Sequence, residues 1–302
     1  MSNHLGMQRR STKKSSYNGF KANLQLRAVS RALSTWRDER GLSLREASDA
    51  AGWSTAKTST MQNAAVSVSE CDVVTLALIY GVANELRAPV FHGAQRARNP
   101  RAYDRLPDAP PCIGWTYGDL ATEASTLHIV AIDALPHVIR TFEYTSALLS
   151  YHTVTTNTRN NTSLSKENHL QIRKNLYEEA SLDLHIVMSD AILRRSCCST
   201  PAMADQLMRI VQLTQLPNVL IQIVADHAGE LESVTSSFSI MGYREDRFDD
   251  VAYLENQHGS IWIEDKATLQ PYLQTFKKIA SVAFTEDAST DLITEALQEH
   301  KS

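Results

Sequence analysis

Lys57 stands among Ser54, Thr55, Ala56, Ser59 and Thr60, a run of small and mostly polar side chains with a single cation in its midst. That composition suits contact with a polyanion. Small side chains let a backbone come close, a helix N-terminus favours an anion, and a lysine meets either a phosphate or a guanine edge. Arg45, a little upstream, adds a second cation to the group. A second set of candidates lies far down the chain. Arg140, Asp190, Arg194 and Arg195, with the pair Tyr253 and Glu255, are the groups that would line a site for a ligand or a partner protein; structural turns and an ion pair beside a sheet are the equal alternative.

Other chemistries find no residues to carry them. The chain has no G-x-S-x-G, G-x-x-x-x-G-K-[ST], H-E-x-x-H or G-x-G-x-x-G. Its ten histidines are scattered, and His128 and His137 flank Pro136 without ligand spacing. Of the four cysteines, Cys197 and Cys198 are adjacent and none falls in a C-x-x-C pair, which argues against zinc and against a disulfide framework. The acidic run around Asp246, Asp249 and Asp250 reads as a solvated loop. No enzyme, no metal and no cofactor is expected.

The elements that would position the first group follow from spacing. Val29, Leu33 and Trp36 share a face, which predicts a helix over about Val29–Arg40 that stops at Gly41. Ser43 and Glu46 form a capping box for a second helix, with Leu44 and Ala47 inward and Gly52 as its left-handed terminator. Ser54 caps a third helix, Thr55–Gln62, whose inward positions are Thr58 and Met61. A fourth starts near Ser69, with Val73, Leu76, Ala77 and Tyr80 inward. Two short helices across a tight glycine turn, braced by their neighbours, are a helix-turn-helix, and the second of the pair enters the major groove. A helical bundle without any role in DNA binding has the same pattern.

The 302 residues are 43% hydrophobic and 21% charged, an ordinary globular composition long enough for two domains. Charge is unevenly spread. Residues 1–110 hold 16 Lys+Arg against 9 Asp+Glu, a net of +7, and the other 192 hold 14 against 25, a net of −11. A basic half that meets polyanions and an acidic half with another task is the implied division. No apolar run reaches the roughly 18 residues of a membrane helix, and the opening residues have no secretory h-region, so a cytoplasmic protein is expected.

The organisation reads as a basic disordered tail (1–24), the helix-turn-helix domain (25–98), a Pro-rich linker (99–114) and a mixed α/β domain (115–302), hence an α+β fold. Within the last, Leu120, Ala124, Leu127 and Ala131 predict a helix closed by Pro136, and another is expected over Glu143–Tyr151. Thr153–Ser165 reads as a loop. Five strands are expected: the alternating Leu182–Ser189, a central one after Pro217, then SSFSIMG, VAYLEN and SIWIED, the last two joined at Asn256–Gly259. Helices over Met203–Gln215 and from near Thr268, where Pro271 would be tolerated, complete the domain.

The helix-turn-helix block resembles XRE-type (Cro/repressor-like) domains at Trp36-Arg37, Arg40-Gly41-Leu42-Ser43, Gly52-Trp53-Ser54, Lys57, Ser59, Met61 and Leu78–Val82. The chain is similar in particular to actinobacterial regulators of this type with a long C-terminal domain. Pro136–Tyr144, Asp190–Arg195, Pro217–Ile223 and Val251–Asn256 resemble that domain's motifs, in the right order over about residues 28–295. The family's Val-Ser-Arg-Ile-Glu-x-Gly-Arg becomes Thr58–Ala65, so a DNA-contacting arginine, a core valine and the Glu and Gly at the helix end are replaced. Leu44 stands where many relatives carry a phosphate-binding Gln.

The resemblance implies a DNA-binding, antitoxin-like transcriptional regulator. Arg45, Ser54, Thr55, Ala56, Lys57, Ser59 and Thr60 would face double-stranded DNA. The C-terminal domain would bind a small partner protein or a small-molecule effector near Arg140, Asp190, Arg194 and Arg195. No membrane contact is expected, and homodimerisation is left open. The alternative is a protein-interaction module whose helix-turn-helix no longer binds DNA.

Overall fold

Side-chain caps open the first four helices of the computed structural model, which describes residues 20–98, 103–105, 116–151, 166–195, 197–229, 231, 234–256 and 259–301. Helices α1 (Leu24–Glu39), α2 (Leu44–Ala51), α3 (Thr55–Gln62) and α4 (Glu70–Ile79) start after Asn23, Ser43, Ser54 and Ser69. Each of those side chains accepts the amide hydrogen three residues on, an arrangement worth about 1 kcal/mol per helix. Glu46 completes its box by accepting the Ser43 amide at 2.8 Å. Gly52 ends α2 at φ +67°, a left-handed turn that sends the chain directly into α3. Helix α5 (Asn84–Ala97) closes the bundle over a core of Val29, Leu33, Trp36, Ala47, Met61, Val73, Leu76, Tyr80 and Val90. Leu44, expected inward, is only half-buried.

Among the described residues the second part is built on seven strands in the order β1-β7-β6-β5-β2-β3-β4. They are β1 (Tyr103–Arg105), β2 (Thr126–Ala131), β3 (Asp183–Ser189), β4 (Val219–Val224), β5 (Phe238–Gly242), β6 (Val251–Asn256) and β7 (Gly259–Ile263). β2, β3 and β4 run parallel, and the other pairings are antiparallel. Leu127, Ile129, Leu184, Ile186, Met188 and Ile221 bury one face under α6 (Tyr117–Glu123), α10 (Thr200–Leu213) and α12 (Glu286–Glu299). Val130, Val187, Val224 and Ile240 bury the other against Leu269, Phe276 and Ile279 of α11 (Lys266–Val282). Helices α7 (Phe142–Tyr151), α8 (Lys166–Tyr177) and the single turn α9 (Ala191–Arg194) complete the domain. The fold is α+β, a helical bundle followed by a mixed α/β domain.

Several expectations are corrected. Leu127–Ala131 is strand β2, not helix: residues four apart also share a face when a strand alternates, and pairing with β3 and β5 decides between the two. β4 lies at the sheet edge rather than its centre. It is buried because the α11–α12 connection covers that edge, with Phe284 N–H donating to the Ile223 carbonyl and Ile223 N–H to Ser289 Oγ, both at 2.9 Å. Helix α11 begins at Lys266, earlier than Pro271 suggested, and α12 follows it as a further helix. Inside the Pro-rich stretch, Tyr103–Arg105 pairs antiparallel with β7. Residues 20–24, assigned to the tail, belong to the fold because Ala22 and Leu24 are buried apolar groups. The rest of the tail, most of the linker and the loop Thr153–Ser165 lie outside the described residues. The hairpin joining β6 to β7 forms, with Asn256 opposite Gly259.

Helix α1 joins the two parts. Leu24 and Ala28 pack into the C-terminal core while Leu26, Val29 and Leu33 serve the helix-turn-helix. Ala22 N–H donates to the Arg247 carbonyl at 2.8 Å, and Leu24 N–H to Glu264 at 2.6 Å. Across the same seam Lys21 pairs with Asp249 at 3.0 Å.

Candidate nucleic-acid interface

Helices α2 and α3 meet through a buried pair of hydroxyls. Ser48 Oγ lies 2.9 Å from Thr58 Oγ1 and 2.7 Å from the Leu44 carbonyl, and both side chains are fully buried. Thr58 is a polar side chain in a buried place, and its hydroxyl is met by a partner on α2 and not left dry. Gln62 accepts from Arg37 at 2.9 Å and donates to the Tyr80 hydroxyl at 3.1 Å. Ala64 holds the left-handed conformation at φ +51°, which glycine adopts more readily. The helix end keeps its shape at the cost of strain that an L-residue with a Cβ carries there.

With that frame set, the proposed contact residues fall into two kinds. Arg45, Ser54, Thr55, Ala56 and Lys57 are exposed, and Ser59 and Thr60 are half-exposed. Arg45 is the freest cation, its side chain 86% exposed and only 3.7 Å from Asp49 within its own helix. Ser54 spends its hydroxyl on the Lys57 amide, and Thr60 turns its own back to the Ala56 carbonyl at 2.9 Å. Lys57 is held down twice: its Nζ sits 3.1 Å from Asp72 and 3.6 Å from the centre of the Trp53 ring. Burial works against the Asp72 charge, but hydrogen bonds from Ser69 and Lys57 outweigh it and hold the carboxyl below its usual range. Reaching a phosphate would therefore cost Lys57 two internal contacts.

The second candidate group sits at the carboxyl ends of β2 and β3, and it is occupied with holding loops. Arg140 donates from Nε to the Leu135 carbonyl at 2.5 Å and from a terminal nitrogen to His137 Nδ1 at 3.0 Å. That leaves His137 Nε2–H to donate to Glu255 at 3.1 Å, where the Tyr253 hydroxyl also donates at 3.3 Å. Burial first, then Arg140, lowers the His137 pKa despite Glu255, so the imidazole is neutral. Arg195 donates to the Asp133 carbonyl, in the same loop that Arg140 holds. Asp190 accepts the Asp226 amide at 2.8 Å and lies 3.7 Å from Arg194, which reaches Glu299 at 3.8 Å. The segments around Arg140 and Arg195 are thus brought together on either side of the loop after β2. Among the described residues no group of His, Cys, Asp and Glu is placed to hold a metal. The acidic run is partly paired, Glu245 with Arg247 and Asp249 with Lys21 and Lys266.

Comparison with known families fits this division of the chain. A family model described as "Domain of unknown function (DUF5753)" matches residues 116–295. The chain belongs to this family. The matched span covers the described sheet from β2 onward together with the helices on both its faces, so the DUF5753 region is the mixed α/β domain. A second model, described as "Helix-turn-helix domain", matches residues 28–90, from α1 into α5, and supports a DNA-binding helix-turn-helix regulator. No curated protein and no solved structure matches the chain. No described helix is long and apolar enough to cross a membrane. What the sequence reading missed in the helix-turn-helix is Ser48, the partner that makes Thr58 tolerable. Its position, ten residues before Thr58 on the inward face of α2 beside Ala47, was the available signal.

Proposed function

We propose that the chain is a transcriptional regulator that binds duplex DNA through α3, takes input through its DUF5753 domain and has no catalytic activity of its own. The observation that carries DNA binding is the exposed N-terminal half of α3, set out on capped helices, together with the exposed Arg45 of α2. A capped helix N-terminus with small side chains lets the backbone approach phosphates closely. The resemblance to XRE-type regulators with a long C-terminal domain supports an antitoxin-like role beside a small partner protein. The scale of the α/β domain, far beyond what dimerisation needs, supports the same input role.

The test uses the full-length chain, because Leu24 and Ala28 of α1 belong to the C-terminal core. Duplexes selected from genomic DNA should bind with an affinity that falls steeply with salt, each neutralised phosphate adding about −0.9 to the log–log slope. Thr60→Arg should strengthen binding to the best duplex by about tenfold, the scale of one added arginine–guanine contact. Asp72→Asn, by releasing Lys57, should strengthen it by roughly threefold. A chain that retains no duplex at low salt, with neither variant restoring binding, is instead a protein-interaction module.

A further inference from the structure

Between the two domains lies a cleft of about 630 Å³. Ser30 and Arg31 of α1 and Asn63 at the end of α3 form one wall, and Asn175 and Arg244 contribute to the other. The lining sets hydroxyl, amide and charged groups beside an apolar surface of similar extent, and the Arg27 guanidinium at its side lies over Tyr243 and Phe248, 4.2 and 4.1 Å from the ring centres. Such a lining has polar partners to offer the polar groups of a small ligand.

Its charges are almost all answered from within. Arg27 meets Glu123 at 2.8 Å, Arg31 meets Asp119 at 3.1 Å, and Arg247 meets Glu245. Glu179, another lining residue, is met by Lys174 at 3.0 Å. Arg244 differs. It is exposed and donates to the Ser181 carbonyl at 2.9 Å, a neutral partner, so its positive charge has no carboxylate among the described residues. A second group points the same way: Ser30 lines the cleft at 2% exposure, and its hydroxyl finds no hydrogen-bond partner among the described residues. A buried hydroxyl is destabilising until something meets it. A guanidinium lacking an anion and a hydroxyl lacking an acceptor are together what a carboxylate or phosphate would satisfy.

We propose that this cleft binds a small hydrophilic anion, carboxylate- or phosphate-bearing, held by Arg244 and the Ser30 hydroxyl, and that its occupancy changes DNA affinity. The second half rests on the DNA-binding reading above. Asn63 and Ala64, the strained end of α3, line the same cleft, so a ligand held by Ser30 and Arg244 sits where the end of α3 meets the C-terminal domain.

Pyrophosphate and citrate are the probes, titrated calorimetrically into the full-length chain at ionic strength matched with sodium chloride. Saturable binding of at least one is expected, weakened about tenfold by Arg244→Gln and several-fold by Ser30→Ala. Which probe binds separates a phosphoryl from a carboxylate ligand. Lys278→Gln removes an exposed charge from α11, on the opposite face of the sheet, and should leave binding intact. Arg244→Lys keeps the charge and should retain most of it, which guards against a folding defect in the glutamine variant. No saturable binding of either probe, or equal loss in Arg244→Gln and Lys278→Gln, overturns the site. These readings need no DNA and stand apart from the DNA-binding proposal. With a bound duplex, saturating probe should shift DNA affinity at least about threefold in the parent chain and not in Arg244→Gln. An unshifted affinity overturns the coupling.

Discussion

At α3 the polar side chains lie at the surface and the backbone beneath them is held by caps and by a buried hydroxyl pair. Around the loop after β2 the arrangement is reversed: Arg140, His137, Asp190 and Arg195 turn to the backbone or to each other and do the holding themselves. Both regions are rich in groups able to recognise a ligand. Charge and hydrogen-bonding capacity therefore do not mark a binding surface by themselves. At α3 the groups are exposed or half-exposed even though Ser54, Thr60 and Lys57 each have an internal contact, and after β2 they are turned inward as well as spent.

The sharpest way to break this comparison is to cut the inner network. Arg140→Met removes the donor to the Leu135 carbonyl and to His137, and should lower unfolding stability by about 2–4 kcal/mol in urea titrations. Arg194→Ala, which touches only half-exposed carboxylates, should cost less than about 1 kcal/mol. Comparable small losses in both would put Arg140 back among groups available to a ligand.

Proton uptake probes the same burial. His128, His137, His169 and His185 are all held below the ordinary histidine value of 6.5, burial being the first cause in each. The folded chain then binds fewer protons than the unfolded one, so this stability is whole above 6.5 and is lost as pH falls through the depressed values. Urea midpoints should decline from neutral toward acid pH, and His137→Gln should flatten the decline. A midpoint that rose on acidification would mean that these imidazoles are charged in the fold.

Smaller effects sharpen the picture in the helix-turn-helix. Ser48→Ala strips the partner from Thr58 and should cost about 1–2 kcal/mol, while the double variant with Thr58→Val should recover most of it, since both partners go together. Additive losses would show that the two hydroxyls do not depend on each other. Least of all, Ala64→Gly should raise stability by about 0.5–1 kcal/mol by relieving the left-handed strain. A loss on that substitution would mean that the buried methyl outweighs the backbone term.

How far the sequence could be read depended on the range of the interactions. The boundaries of α3, the Ser43–Glu46 box and the Gly52 turn were legible because each is settled within three or four residues. The edge position of β4 was not, because it depends on Phe284 and Ser289 some 60 residues away. Nor was the strand character of Leu127–Ala131, whose apolar spacing fits a helix until β3 and β5 lie beside it. At the candidate sites, the types of Lys57 and Arg140 were informative and their availability was not. Asp72 and Trp53 restrain the one, and the Leu135 carbonyl and His137 consume the other.

The sequence by itself determined a helix-turn-helix of defined limits, a basic first part and an acidic second part of mixed α and β, because caps, turns and net charge are local or additive properties. Only the tertiary structure decided that α1 serves two cores, that Thr58 has a partner and that Arg140 is spent. It alone brought Ser30 and Arg244 to one cleft, since side chains more than 200 residues apart meet only when the sheet, its helices and the bundle are packed. Sequence spacing encodes which groups exist, and packing determines which of them have something left to bind.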